Sequence, residues 1–212
     1  MTPQNQNYQL WLDSTIKKHV ECGERPRLLL HACCAPCSSY VLEYLNQYFE
    51  ITLLFFNPNI SPKEEYHKRK SELHRLVSDM ELDGISFATA DYTPEIFEEM
   101  ARGLEELSEG GERCKKCYRL RLEKAAEVAK LGGFDYFTTT LSISPHKNAQ
   151  WLCAIGEELA AEYGVNYLYS DFKKRGGYKR SCELSEKYGL YRQDFCGCIY
   201  SKRARDKRIN IN

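Results

Sequence analysis

The sequence predicts an α/β protein with an open, mainly parallel sheet, helices on both faces, and a short cysteine-bearing extension at its C-terminus. Two observations predict the sheet. Short apolar runs alternate with longer helix-patterned stretches, as in chains of strand–helix units. The first two runs, 27–32 and 51–56, carry apolar blocks that read as strands buried on both faces. With 212 residues and 42% hydrophobic content, the chain suits one core. It is read as a single catalytic domain over 1–201 followed by a basic polar tail over 202–212.

Taken in order, residues 1–27 are mixed polar and charged, without the apolar stretch of a signal peptide, and the run 51–56 is too short to cross a bilayer. A cytoplasmic protein with no membrane partner is therefore expected. Between the first two strands, 38–48 is helix-compatible, with Val41, Leu42 and Leu45 at helical spacing. The second strand closes on Asn57-Pro58-Asn59. Ser61 as N-cap, Pro62 at the first helical position and Glu64 completing a capping box then predict a helix over 62–80. Further strands are predicted at 85–90, 134–139 and 167–169, with helices at 94–107, 115–131 and 145–163. In such sheets ligands gather beyond the carboxyl ends of the strands, where Cys33, Cys34, Asn57, Asp91, Thr140 and Asp171 fall.

Ten cysteines are many for a cytosolic chain and too dilute for a small disulfide scaffold, so metal ligation or redox chemistry leads. Cys33-Cys34-Ala35-Pro36-Cys37 puts three thiols where a strand gives way to a loop, so neighbouring cysteines can turn toward one centre. Cys114-Lys115-Lys116-Cys117 has chelate spacing and basic neighbours that favour thiolate. Alone it fits half a zinc site or a redox disulfide. Together with the first group it favours a cubane, which takes each thiolate on a different iron, over four sulfurs on one small ion. Cys196-Gly197-Cys198 can close only a small ring, which suits a reversible two-electron couple; further metal ligands or an unreacted dithiol remain open. Cys22, Cys153 and Cys182 are isolated and read as packing or exposed thiols.

Thirty Lys and Arg balance thirty Asp and Glu, so net charge points to no partner. The distribution is uneven. The stretch 95–112 is acidic, whereas Lys173, Lys174, Arg175, Lys179, Arg180 and the segment 202–208 are basic, either as solvated faces or as contacts to nucleic-acid phosphates. Thr138 to Asn148 runs from a strand toward a helix with Ser144 as its expected N-cap. Its hydroxyls, free amides and Lys147 suit an anion, while ordinary capping explains Ser144 and Pro145 without one. Tyr66 and Arg69 are expected on exposed first turns of the capped helix beside Asn57, supported by the Glu65 to Arg69 spacing.

These residues resemble a known family. The resemblance runs from Leu28 to about Ser201 through His31-Ala-Cys-Cys-Ala-Pro-Cys37, Phe56-Asn-Pro-Asn-Ile60 with Glu65-Tyr66 and Arg69, and Cys114-Lys-Lys-Cys-Tyr-Arg-Leu-Arg121. It continues through Thr138 to Asn148, Gly176-Gly177-Tyr178, and Tyr188 to Ser201 with its Cys-Gly-Cys. The chain is similar to QueH-type epoxyqueuosine reductases, which act in making the tRNA wobble nucleoside queuosine. The resemblance implies a HUP-type, nucleotide-hydrolase-like domain and a [4Fe-4S] cluster on Cys33, Cys34, Cys114 and Cys117. It implies a redox pair at Cys196 and Cys198, and an additional mononuclear iron to which Cys37 is assigned. It also implies tRNA carrying epoxyqueuosine as substrate, and an electron donor whose identity the sequence does not give.

Turning an epoxide into an alkene takes two electrons and two protons and releases water. His31, Asp91 and His146 are the candidates for proton delivery. Asn57, Tyr66, Arg69, Lys147, Lys174, Arg175 and Arg180 are the candidates for holding substrate. No cobalamin-binding feature is recognisable. One alternative is an ATP-dependent iron–sulfur tRNA thiolase, which needs a glycine- and serine-rich phosphate loop where Cys33 to Cys37 stand. The other is a non-catalytic zinc module binding RNA through the basic segments.

Overall fold

The computed structural model describes residues 7–209. Its elements are α1 (Tyr8–Glu21), β1 (Arg27–His31), α2 (Ala35–Leu45), β2 (Glu50–Leu54), α3 (Lys63–Asp79), β3 (Ser86–Ala88), α4 (Pro94–Ala101) and α5 (Glu112–Leu131). They continue with β4 (Tyr136–Thr139), α6 (Ala149–Tyr163), β5 (Asn166–Tyr167), α7 (Gly177–Lys187) and α8 (Ile199–Ile209). The five strands form one parallel sheet in the order β3-β2-β1-β4-β5. The first strand is central, with Leu28 beside Ile51 on one flank and Tyr136 on the other.

Alternation along β1 divides the core. Leu29 joins Phe137, Leu122, Ala126 and Leu152 on one face, whereas Leu28 and Leu30 join Leu42, Leu45, Ile51 and Leu53 on the other. All three leucines are fully buried, which is why the strand reads as an unbroken apolar run. Each contributes roughly 2 kcal/mol over an exposed position.

Several boundaries differ from expectation, each for a local reason. The helix expected over 62–80 starts one residue late: Pro62 is its N-cap and no side chain caps it. The amide of Ser61 instead donates to the Gly197 carbonyl at 2.9 Å, tying this turn to the C-terminal segment. The helix expected from 145 starts at Ala149, because Asn148 caps it by accepting from the Trp151 amide at 3.1 Å. Ser144 closes the short 3-10 turn Thr140–Ile143 and accepts from the His146 amide at 3.3 Å. The helix expected to reach 107 stops at Ala101, before Gly103.

Three helices lie outside the sequence reading. In α1 only Tyr8, Leu12 and Ile16 carry an i, i+4 apolar stripe through charged surroundings. Next, α7 packs on α2, where Gly177 permits a contact too close for any side chain: a Cβ there would meet the Phe172 carbonyl at 2.0 Å and Tyr40 at 2.5 Å. Finally, α8 crosses the boundary drawn at 201, and Arg205 pairs with Asp194 at 2.6 Å, so the basic segment 202–209 is helical. Residues 210–212 lie outside the described residues. Among the described residues no helix is long and apolar enough to cross a membrane.

Candidate active site

A cleft of about 590 Å³ opens beyond the carboxyl ends of β1, β2 and β4, at the point where strand order reverses. Its walls include Cys33 after β1, Asn57 after β2, Lys147 after β4, Arg121 from α5, and Cys196 from the segment before α8. Chain segments far apart in sequence thus bring thiols and cations to one place.

The first thiol group is built by the turn from β1 into α2. Cys33 leaves the strand with its amide on Thr140 Oγ1 at 3.2 Å, and Thr140 in turn approaches the Cys33 sulfur at 3.4 Å. Cys34 is the N-cap of α2, and Pro36 sits in the first turn. The sulfurs of Cys33, Cys34 and Cys37 all lie within 4.8 Å of one another. Hydrogen bonds inside the trio split their acidities. Bonding to Cys33 and Cys37 holds Cys34 well below the usual thiol range, whereas bonding to Cys34 pushes Cys33 up to about 11 and bonding to both neighbours raises Cys37. A metal held by the trio would displace the thiol protons.

The second group stands on the first turns of α5. The Gly110 amide donates to Cys114 Sγ at 3.3 Å, and Cys117 is buried, its thiol pushed up to about 11 by that burial. Among the described residues only Cys33, Cys34 and Cys37 gather within 4.8 Å, so Cys114 and Cys117 do not join them in a single-ion cage.

Arg121 is the residue that sequence reasoning missed as a site residue. It lines the cleft, is 2% exposed, and donates from Nε to the Cys117 carbonyl at 3.1 Å, while its Nη2 has no partner. Among the described residues no carboxylate pairs with it; burial works against its charge, and the sulfurs of Cys117, Cys196 and Cys33 lie near it. A buried guanidinium without a counter-charge is costly, so this position fits an anionic thiolate-bound group. The one-turn spacing Cys117-x-x-x-Arg121 was the available signal.

The third thiol segment is held by α3. Arg69, expected on an exposed turn, is 2% exposed: its Nε meets Glu65 at 2.7 Å, and its Nη1 and Nη2 donate to the carbonyls of Cys196 at 3.1 Å and Phe195 at 3.4 Å. Gly197 makes this approach possible, because a Cβ there would meet Arg69 Nη1 at 3.1 Å and its φ of 123° disfavours a side chain. Tyr191 reinforces the clamp through Glu65 at 3.2 Å and, by its amide, Glu72 at 2.6 Å. Cys196 borders the cleft, with Lys147 Nζ 3.1 Å from its sulfur, whereas Cys198 packs behind against Phe97, Ala101 and Cys117.

The remaining expected site residues divide. His146 stands exposed on the cleft rim, and Asn57 lines it with Nδ2 on the Ala32 carbonyl at 2.9 Å and Oδ1 unpartnered. His31 lies in the core beneath. Its Nε2 donates to the Phe56 carbonyl at 3.0 Å and its Nδ1 meets Thr139 Oγ1 at 2.8 Å, so both nitrogens are taken and no proton is free for the cleft. Burial, reinforced by Arg121, lowers its pKa to about 4. Asp91 is exposed and borders a separate depression with Glu123 and Lys124. Tyr66, also expected to be exposed, is buried against Tyr92 and Phe55, with ring centroids 4.2 and 5.2 Å away. Arg175 pairs with Asp13 and Arg180 with Glu43, at 2.5 and 2.7 Å, while Lys174 is exposed.

A parallel α/β sheet whose crevice gathers thiols, three of them close enough together to suit a metal, fits the class of enzymes of redox or metal-assisted chemistry. Comparison sharpens the class to a family. Residues 28–204 match the family model described as epoxyqueuosine reductase QueH. Proteins bearing that name match along most of the chain. The one from Streptococcus pyogenes serotype M1 is 45% identical over 200 residues, covering 93% of this chain and 78% of that protein. One from Staphylococcus epidermidis is 43% identical over 206 residues, covering 95% and 87%. One from Thermotoga maritima is 32% identical over 192 residues, covering 87% and 95%. The chain belongs to the QueH epoxyqueuosine reductase family of oxidoreductases.

Proposed function

We propose that the protein reduces the epoxide of epoxyqueuosine in tRNA to the cyclopentene of queuosine, with the Cys196 and Cys198 dithiol as its reducing pair. The observation that carries this reading is the convergence of Cys33, Cys37 and Cys196 on one cleft that also holds two buried cations, Arg121 and Lys147. A [4Fe-4S] cluster on Cys33, Cys34, Cys114 and Cys117, with a further iron at Cys37, would supply electrons and Lewis acidity there.

The chain's own residues do the rest. Asn57 forms part of the cleft wall, with its Nδ2 on the Ala32 carbonyl. Lys147 lends the cleft a cation, and His146 on the rim is the proton donor best placed of the three candidates. Around the mouth, Arg192 and Arg208 suit phosphates, and the exposed Tyr178 ring suits stacking on a base of a single-stranded loop. Lys174 extends that basic rim.

The test is incubation of anaerobically isolated protein and a strong reductant with tRNA from cells unable to complete queuosine. Nucleoside analysis should show epoxyqueuosine lost and queuosine formed in equal amounts. Unchanged epoxyqueuosine, with the iron content full, would overturn the reading.

A further inference from the structure

The two sulfurs of Cys196-Gly197-Cys198 occupy unlike surroundings. Cys196 borders the cleft, and Lys147 Nζ donates to its sulfur at 3.1 Å. The Lys147 side chain is 9% exposed, and its carboxylate neighbour, Glu109, is farther away at 3.6 Å and itself 37% exposed. An ammonium so buried needs a nearby anion. Of its two polar neighbours the Cys196 sulfur is the closer.

Cys198 is 7% exposed and faces away from the cleft. Its thiol approaches Ser201 Oγ at 3.4 Å and takes the Ser201 amide at 3.4 Å, both at the start of α8. The other groups that face Cys196 are Arg121, Tyr118, Cys117 and Cys198, while Arg69 holds its backbone carbonyl. Of the two cations, only Lys147 bonds the sulfur itself.

We infer that Lys147 is a catalytic residue whose ammonium pairs with the Cys196 sulfur and makes it, not Cys198, the first of the two thiols to react. This rests on reading the two cysteines as the reducing pair. In that reaction the two S–H groups become one S–S bond and release two electrons and two protons. The epoxide takes them up, both its C–O bonds break, its oxygen leaves as water and the two carbons gain a second bond. Lys147 places positive charge against the sulfur that carries negative charge as it begins to react, and Cys198 closes the S–S bond from behind. The lysine reaches this position because the turn after β4 is fixed by its own amide on the Ser144 carbonyl at 3.1 Å.

The experiment is limited alkylation of the anaerobic, iron-loaded and reduced protein with iodoacetamide near neutral pH, with each cysteine followed by peptide mass spectrometry. Cys196 should be labelled about tenfold faster than Cys198, and Lys147→Met should slow Cys196 about tenfold with iron content unchanged. Lys147→Arg should keep most of the rate, which a merely structural role would not predict for a bulkier side chain in a buried site. A wild-type rate in Lys147→Met, or faster labelling of Cys198, overturns the inference. Should Lys147→Met fail to fold, Cys196→Ser and Cys198→Ser decide: only the former should abolish the fast phase, and the reverse refutes the assignment. Nucleoside analysis is read separately. A protein inert on its tRNA but fast at Cys196 counts against the reductase reading while supporting the sulfur assignment.

Discussion

The Cys33 group and the Cys196 segment meet at one cleft but are held there by different means. The first leaves the central strand of the sheet, and its geometry follows from the β1 to α2 turn and the fully buried leucines beneath it. The second sits on a loop with little core of its own, positioned by Arg69, which lies 127 residues away in sequence, and by Glu65, Glu72 and Tyr191. An anchor made of backbone and apolar packing tolerates changes to surface charge. One made of a buried ion pair and carbonyl hydrogen bonds depends on single polar atoms.

The largest expected effect lies in the first region. If its thiols and those of α5 hold one cofactor, Cys34→Ala and Cys117→Ala should each lose the visible absorbance of the iron-loaded protein and all reductase activity. A full complement of iron and sulfide in either variant would break the ligand assignment. In the second region, Cys198→Ser should keep iron and colour but lose turnover on the order of a hundredfold or more, since a shuttle thiol is not a ligand. Loss of iron would instead make the pair ligands and remove the contrast between the regions.

Arg69→Met sharpens the comparison further. It leaves Glu65 without its cation, held only by Tyr191, and two carbonyls of the Cys196 segment without donors, so urea denaturation should show a loss of about 3 kcal/mol. Turnover should fall with it while the colour of the folded protein persists. A variant as active as wild type would remove α3 from the control of Cys196. Smaller and confined to the first region is an acid effect. His31 is fully buried, and its folded pKa of about 4 lies below the usual 6.5, so the unfolded chain binds the extra proton between these values. The neutral ring contributes stability above pH 6.5, which is lost as pH falls toward 4. The difference is about 3 kcal/mol at most, and it shrinks to the part of the window that can be measured. His31→Gln should flatten the slope of stability against pH relative to wild type; an unchanged slope would assign the acid sensitivity elsewhere.

The unequal legibility of the two regions in the sequence follows from the same contrast. Leu28 to Leu30, Ile51 to Leu54 and the alternation of strand with helix are local patterns, and they predicted the parallel α/β class together with the cysteine groups at strand and helix ends. The stripe of α1 was too sparse to read, and the caps at Ser61 and Ser144 failed because their backbone or side chains serve contacts that capping rules do not include. Tyr66 and Arg69 look like surface residues in a charged helix, and only a C-terminal segment laid across α3 and the rings of Phe55 and Tyr92 make them buried.

By itself, then, the sequence determined the class of fold, the three thiol motifs and the family, because each is written in neighbouring residues. Strand order, the orphaned guanidinium of Arg121, the retreat of His31 into the core and the meeting of Lys147 with Cys196 were decided by tertiary structure alone. Each depends on side chains from distant segments sharing one desolvated space, where the worth of a charge is set by what else has been buried beside it.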